Sequence, residues 1–231
     1  IPYGEKTKEQ LIVFVKDILD WYKLNNVKAV FMACNTSSAV VLDEIEKDYN
    51  FPIFGIIKPT AEFICQLEAK IIGIIATSAT IKSNAYSREI LKIDPSKKVY
   101  EIACPGLVEI VESGKFNSSE AFEKVYNYVN PLLEKGVEKI VLGCTHYPYL
   151  SDVINKIAQK SDILIDPAEH LIKKAIVQLE NNKLLNFGDS GSRKYFVSSN
   201  PENFVKVAGS FYQDCTSAFE VKFESIITSK Y

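Results

Sequence analysis

Between residues 8 and 25, apolar side chains recur at Leu11, Ile12, Val15, Ile18, Leu19 and Tyr22, the three-and-four spacing that lays one stripe along a helix. Asn25 and Asn26 end it. Residues 27–33 are apolar except for Lys28. Too short for a helix between such breaks, they predict a buried parallel strand. The strand runs into Cys34-Asn35-Thr36-Ser37-Ser38, small polar residues suited to a strand-to-helix turn, with Ala39, Val40, Val41, Leu42 and Ile45 opening the next helix.

The same order returns later. Ser118 and Ser119 offer an N-cap, Phe122, Val125, Tyr126, Val129, Leu132 and Leu133 mark a helix, and Gly136 closes it. Residues 137–143 are strand-like and end in Cys144-Thr145-His146, before Tyr147-Pro148 and a further helix from about residue 151. Cys34 and Cys144 stand 110 positions apart, as do Val27 and Val137, so the two stretches pair without a gap as equivalent units. Further strands are predicted at 52–57, 70–76, 98–103, 162–165 and 194–197. Helices are predicted at 169–180 and 201–212, the latter with Asn200 as N-cap and Pro201 at its first position. Residues 181–192 read as a surface loop. The alternation predicts an α/β protein with helices covering mostly parallel sheet, in two similar units: 1–57 with 168–231, and 58–167.

The 231-residue length limits the chain to one large or two small domains. Lys and Arg number 27 against 29 Asp and Glu, without a basic stripe, so no nucleic-acid partner is expected. The densest apolar window, residues 71–81, is interrupted by Thr77, Ser78 and Thr80 and is too short to span a membrane; a soluble protein is expected. Five cysteines without a CxxC pair fit neither a secreted disulfide framework nor a common zinc module. Reduced thiols in a cytoplasm are expected, and the first 15 residues carry no signal-peptide pattern. Residue 1 is Ile, not Met, which leads us to expect residues upstream.

Ligands of open α/β sheets bind beyond the carboxyl ends of the strands, where Cys34, Thr77, Cys104 and Cys144 all stand. One such cysteine is ordinarily a small buried hydrophobe. Two at matching positions, each followed by polar side chains, Asn35-Thr36 and Thr145-His146, point to chemistry. If the units face each other, a thiol lines each wall of one cleft. That arrangement suits inversion of a carbon bearing hydrogen, one sulfur removing the proton and the other returning one to the opposite face. Asn35, Thr36, Thr77 and Thr145 would hold the carboxylate and ammonium of an amino acid.

Ala33-Cys34-Asn35-Thr36-Ser37-Ser38-Ala39 and Leu142-Gly143-Cys144-Thr145-His146-Tyr147-Pro148 resemble the two cysteine signatures of the glutamate racemases, within the cofactor-independent aspartate/glutamate racemase superfamily. Pro2-Tyr3-Gly4, residues 76–80, and Cys104-Pro105 with Val108 and Glu112 extend the resemblance in order over nearly the whole chain. It implies that Cys34 and Cys144 are the catalytic acid/bases, that Tyr3, Gly4, Asn35, Thr36, Thr145 and His146 contact glutamate, and that His146 and Glu112 assist Cys144. It also implies no cofactor, a homodimer, and D-glutamate supplied to peptidoglycan precursors. The family opens with a strand ending in Asp-Ser-Gly. Asp189-Ser190-Gly191 has those letters but follows no apolar strand, so the motif is expected in about forty upstream residues.

Three alternatives stay open: another amino-acid racemase, such as one for aspartate; an inactive amino-acid-binding protein of the same fold; and a rival Cys–His hydrolase built on Cys144. A zinc site from Cys34, Cys104, Cys144 and His146 has suitable ligand types but no close ligand pair. Cys65 and Cys215 are expected to be structural. His170 is expected to be an ordinary helix residue, and Asp166 to close a strand.

Overall fold

The computed structural model describes residues 3–188 and 191–223. Asp189 and Ser190 of the late Asp-Ser-Gly triplet therefore lie outside the described residues. After a 3-10 turn at Tyr3–Glu5, helix α1 (Lys8–Leu24) starts on a reciprocal cap. Thr7 Oγ1 accepts from the Gln10 backbone, and Gln10 Oε1 accepts from the Thr7 backbone, so two otherwise orphaned N–H groups are satisfied. Leu11, Val15 and Leu19 are its buried stripe, as the periodicity requires. Asn26 takes φ 52° just past its end.

Strands β1 (Val30–Met32) and β2 (Ile53–Gly55) pair in parallel, with Phe31 opposite Phe54. The expected strand over 27–33 is shorter in the structure. The Val30 N–H donates to the Pro52 carbonyl, and Pro52 has no N–H to return, so the ladder cannot extend backwards. Between the strands lie α2 (Asn35–Val40) and α3 (Leu42–Ile45). Helix α2 begins at Asn35, immediately after Cys34, and not at Ala39 as expected. Residues 35–38 are buried helix, not turn.

The second sheet has four parallel strands in the order β4-β3-β5-β6: β3 (Ile71–Ala76), β4 (Lys98–Ala103), β5 (Lys139–Gly143) and β6 (Leu164–Ile165). Ile74 lies opposite both Glu101 and Val141. Helices α7 (Leu107–Glu112), α8 (Ser119–Glu134) and α9 (Ser151–Ala158) form one core with Ile75, Ile140 and Leu142. Helices α4 (Ile57–Gln66), α6 (Ala85–Ile93) and α10 (Pro167–Asn181) form another with Ile72, Ile74 and Val141. A parallel sheet covered on both faces accounts for strands such as IIGIIA that read as continuous apolar runs. Helix α5 (Ser78–Lys82) follows β3.

Asp166 closes β6 and caps α10, accepting from the Ala168 N–H, while His170 stacks on Phe63 at 3.8 Å. A last parallel pair, β7 (Phe196–Val197) and β8 (Phe219–Glu220), packs Phe196 on Trp21 of α1. Helix α11 (Pro201–Phe211) carries the expected Asn200 cap, accepting from Asn203.

Gly143, the last residue of β5, has no room for a side chain. A Cβ there would sit 2.8 Å from Ala76 Cβ and 2.9 Å from the Ile75 carbonyl oxygen of β3. Gly143→Ala should therefore cost about 1–3 kcal/mol of stability, as overpacking against a backbone usually does. A urea midpoint equal to that of the unmodified protein would show that the strands part without penalty.

Candidate active site

The sheet order sets the site. Cys34 follows β1, Thr77 follows β3 and Cys144 follows β5, each at a carboxyl end. Cys34 occupies the N-cap position of α2 and is half-buried. The Tyr3–Glu5 turn lies against α2 and α5, so closely that a Cβ on Gly4 would come within 2.7 Å of Thr77 Cβ. Burial raises the Tyr3 hydroxyl pKa, and the charge of Cys34 adds to the shift. Tyr3, Gly4, Cys34, Asn35, Thr36 and Thr77 thus meet in one place.

The polar groups of this wall bond to one another. Thr36 Oγ1 is 2.9 Å from Thr77 Oγ1 and 3.3 Å from Thr80 Oγ1, with Thr77 and Thr80 3.0 Å apart. Tyr86 donates its hydroxyl to Asn35 Oδ1 at 2.6 Å. Thr80 and Tyr86 were missed in the sequence. Thr80 was detectable, because it stands one turn after Thr77 and so shares its face of α5. Tyr86 gave no local signal, being 51 positions from its partner.

The other wall is built on Cys144, which is 6% exposed. Its Sγ lies 3.7 Å from His146 Nδ1, which is also 3.3 Å from Thr145 Oγ1. His146 Nε2 stands 3.3 Å from Glu112 Oε1 at the end of α7. All four residues expected on this side therefore converge. Burial pushes the Cys144 thiol up to about 11, while the His146 backbone N–H pulls it down, a negative charge on Cys34 raises it and the Thr145 hydroxyl lowers it.

Alkylation by iodoacetamide requires the thiolate. The Cys144 rate should keep rising with pH until about 11, followed by mass spectrometry of its peptide. A plateau at pH 9 would contradict the burial effect.

Cys104 is buried in the same core cluster as Cys144, its thiol donating to the Ile102 carbonyl and raised far above the usual thiol range by burial. Among the described residues no three His, Cys, Asp or Glu side chains gather where a metal ion could sit, so the four-ligand zinc alternative lacks its geometry. A cavity of about 280 Å³ lies elsewhere, against Asp43, Lys58, Arg88 and Lys174. Another of about 170 Å³ runs beside Cys34 along β1. Neither reaches Cys144. Among the described residues no helix is long and apolar enough to cross a membrane.

A family model described as Asp/Glu/Hydantoin racemase matches residues 3–175. The glutamate racemase of Trichormus variabilis is 38% identical over 204 residues, covering 88% of this chain and 70% of that protein. Among solved structures, glutamate racemase from Francisella tularensis in complex with D-glutamate superimposes with a TM-score of 0.89 at 31% identity, covering 96% of this chain and 84% of that one. A glutamate racemase isoform from Bacillus anthracis gives the same TM-score and coverage at 27% identity. The two cysteine turns lie within the matched region, and with a family model spanning most of its length the chain belongs to the aspartate/glutamate/hydantoin racemase family of isomerases.

Proposed function

We propose that this protein interconverts L- and D-glutamate, with Cys34 and Cys144 as the two acid/bases on opposite sides of the α-carbon. The observation carrying this reading is that two cysteines each stand just past the carboxyl end of a parallel strand, Cys34 after β1 and Cys144 after β5. Each is also flanked by polar side chains. One thiolate takes the α-proton, leaving a carbanion whose electron pair is delocalised into the carboxylate. The opposite thiol then gives its proton to the other face and becomes the thiolate. Proton and charge are conserved within the pair, so each turnover leaves the site ready for the reverse reaction.

Cys144, held protonated at neutral pH by its burial, starts as the donor. That step leaves Cys144 as the thiolate the reverse reaction needs; when resting enzyme meets the other enantiomer first, His146 Nδ1 is placed to take the Cys144 proton while Cys34 gains one from solvent, so that thiolate and thiol change places. Asn35, Thr36, Thr77, Thr80 and Thr145 supply donors for the substrate carboxylates, whose oxygens replace the hydroxyl-to-hydroxyl contacts of the threonine cluster. Tyr3 and Gly4 close this end of the site. We assign the chain to two lobes, 1–57 with 168–231, which carries Cys34, Asn35 and Thr36, and 58–167, which carries Cys144, Thr77, Thr80 and Thr145. Glutamate is preferred over aspartate because the close relatives are glutamate racemases. The same resemblance supports a cofactor-free homodimer supplying D-glutamate to peptidoglycan precursors in the cytoplasm.

In deuterated water, the full-length protein should exchange the α-hydrogen of either glutamate enantiomer while optical rotation decays to zero. A binding protein gives neither. Exchange without loss of rotation would leave only one sulfur at work.

A further inference from the structure

Asn35 is the first residue of α2 and is 3% exposed. Its carboxamide can turn either an oxygen or an NH2 group towards a ligand, and the two choices favour ligands of opposite charge. Tyr86, fully buried on α6, fixes that choice by donating to Oδ1. The 2.6 Å separation is typical of O–H···O and short for N–H···O, so the oxygen faces the phenol. Burial raises the Tyr86 pKa far above its ordinary value, which keeps the hydroxyl proton available to donate. Among the described residues, Nδ2 donates to no other group.

We propose that Tyr86 is a positioning residue that locks the Asn35 carboxamide with its NH2 group towards the cleft, where it donates to a carboxylate oxygen of the amino acid held between Cys34 and Cys144. This rests on the racemase reading. Without the phenol, the buried Oδ1 is left unpaired, and the amide gains by turning over to seek a partner. The cleft would then meet an anionic substrate with an oxygen. Because Tyr86 and Asn35 are on different elements and 51 positions apart, the bond also ties α6 to α2. A purely structural role is therefore the competing explanation.

A double-mutant cycle in the full-length protein separates the two, since it isolates the pairwise coupling. Tyr86→Phe keeps the ring and removes only the donor. It should raise KM for both enantiomers about tenfold, with kcat within threefold, the loss expected for one misdirected hydrogen bond to a charged group. In an Asn35→Ala background the same change should alter kcat/KM less than twofold. Equal factors in both backgrounds, or a fall in kcat at constant KM, would overturn the proposal.

Should Tyr86→Phe not fold, nitrogen-15 NMR of the unmodified protein decides the matter. Adding D-glutamate should shift the Asn35 side-chain amide resonance, and an unmoved resonance counts against the proposal. An unmodified protein that fails to racemise glutamate counts instead against the function assigned above. The Asn35 resonance then still reports whether its NH2 group meets the amino acid.

Discussion

Cys34→Ala and Cys144→Ala are each expected to lower racemisation by about 10³-fold or more, in line with removal of an essential acid or base. Both directions must suffer. L- and D-glutamate have equal free energies in water, so kcat/KM for one cannot fall without an equal fall for the other. An alanine at either position removes the thiol that exchanges a proton with the α-carbon on that face. The folded state should survive. Cys34 is half-buried at a helix N-cap, and alanine in place of Cys144 trims one small side chain from a core of 19 buried residues, worth about 1 kcal/mol. Circular dichroism and a melting curve would confirm it. Substantial two-way turnover in either variant would defeat the two-sulfur scheme. Slow α-deuteration of one enantiomer without inversion would support it, since the surviving sulfur can still exchange protons on its own face.

What the sequence made legible was the part of the site written in short-range pattern. Each strand ends in a cysteine followed by small polar residues, and the 110-residue offset exposes the pairing. β1 and β5 stand where that pattern put them. The errors share one physical origin, because at each of them a partner distant in sequence outweighs local preference. Residues 35–38 read as a turn since Asn, Thr and Ser favour caps by bonding their own backbone. Here those side chains bond elsewhere. Asn35 meets Tyr86, Thr36 meets Thr77 and Thr80, and Ser38 donates to the Met32 carbonyl. With the side chains so engaged, the backbone is free to form a helix at once. β1 was expected to be longer because nothing within 27–33 announces that its neighbour begins with Pro52. Tyr86 escaped notice for the same reason, since a tyrosine on the apolar stripe of a helix looks like core until its hydroxyl partner is known.

His146→Ala should lower kcat/KM about 10²-fold, equally in both directions, the scale of a group that assists proton transfer. The geometry says why a histidine is needed. When Nε2–H donates to Glu112 Oε1, the neutral ring must carry its lone pair on Nδ1, which is the nitrogen facing Cys144 Sγ. A thiol raised to about 11 by burial gives up its proton reluctantly at neutral pH, and a nitrogen base 3.7 Å away makes the thiolate attainable during turnover. Glu112 is about half exposed, so its charge is largely screened and its main contribution is to hold the tautomer. Glu112→Gln should therefore cost only about tenfold, as an orienting partner does when the base itself remains. The pair with His146→Ala should be no slower than His146→Ala alone, because Glu112 acts through the ring. Additive losses would mean that Glu112 reaches the reacting atoms independently and that the Glu112–His146–Cys144 chain is not the route by which Cys144 is made a base.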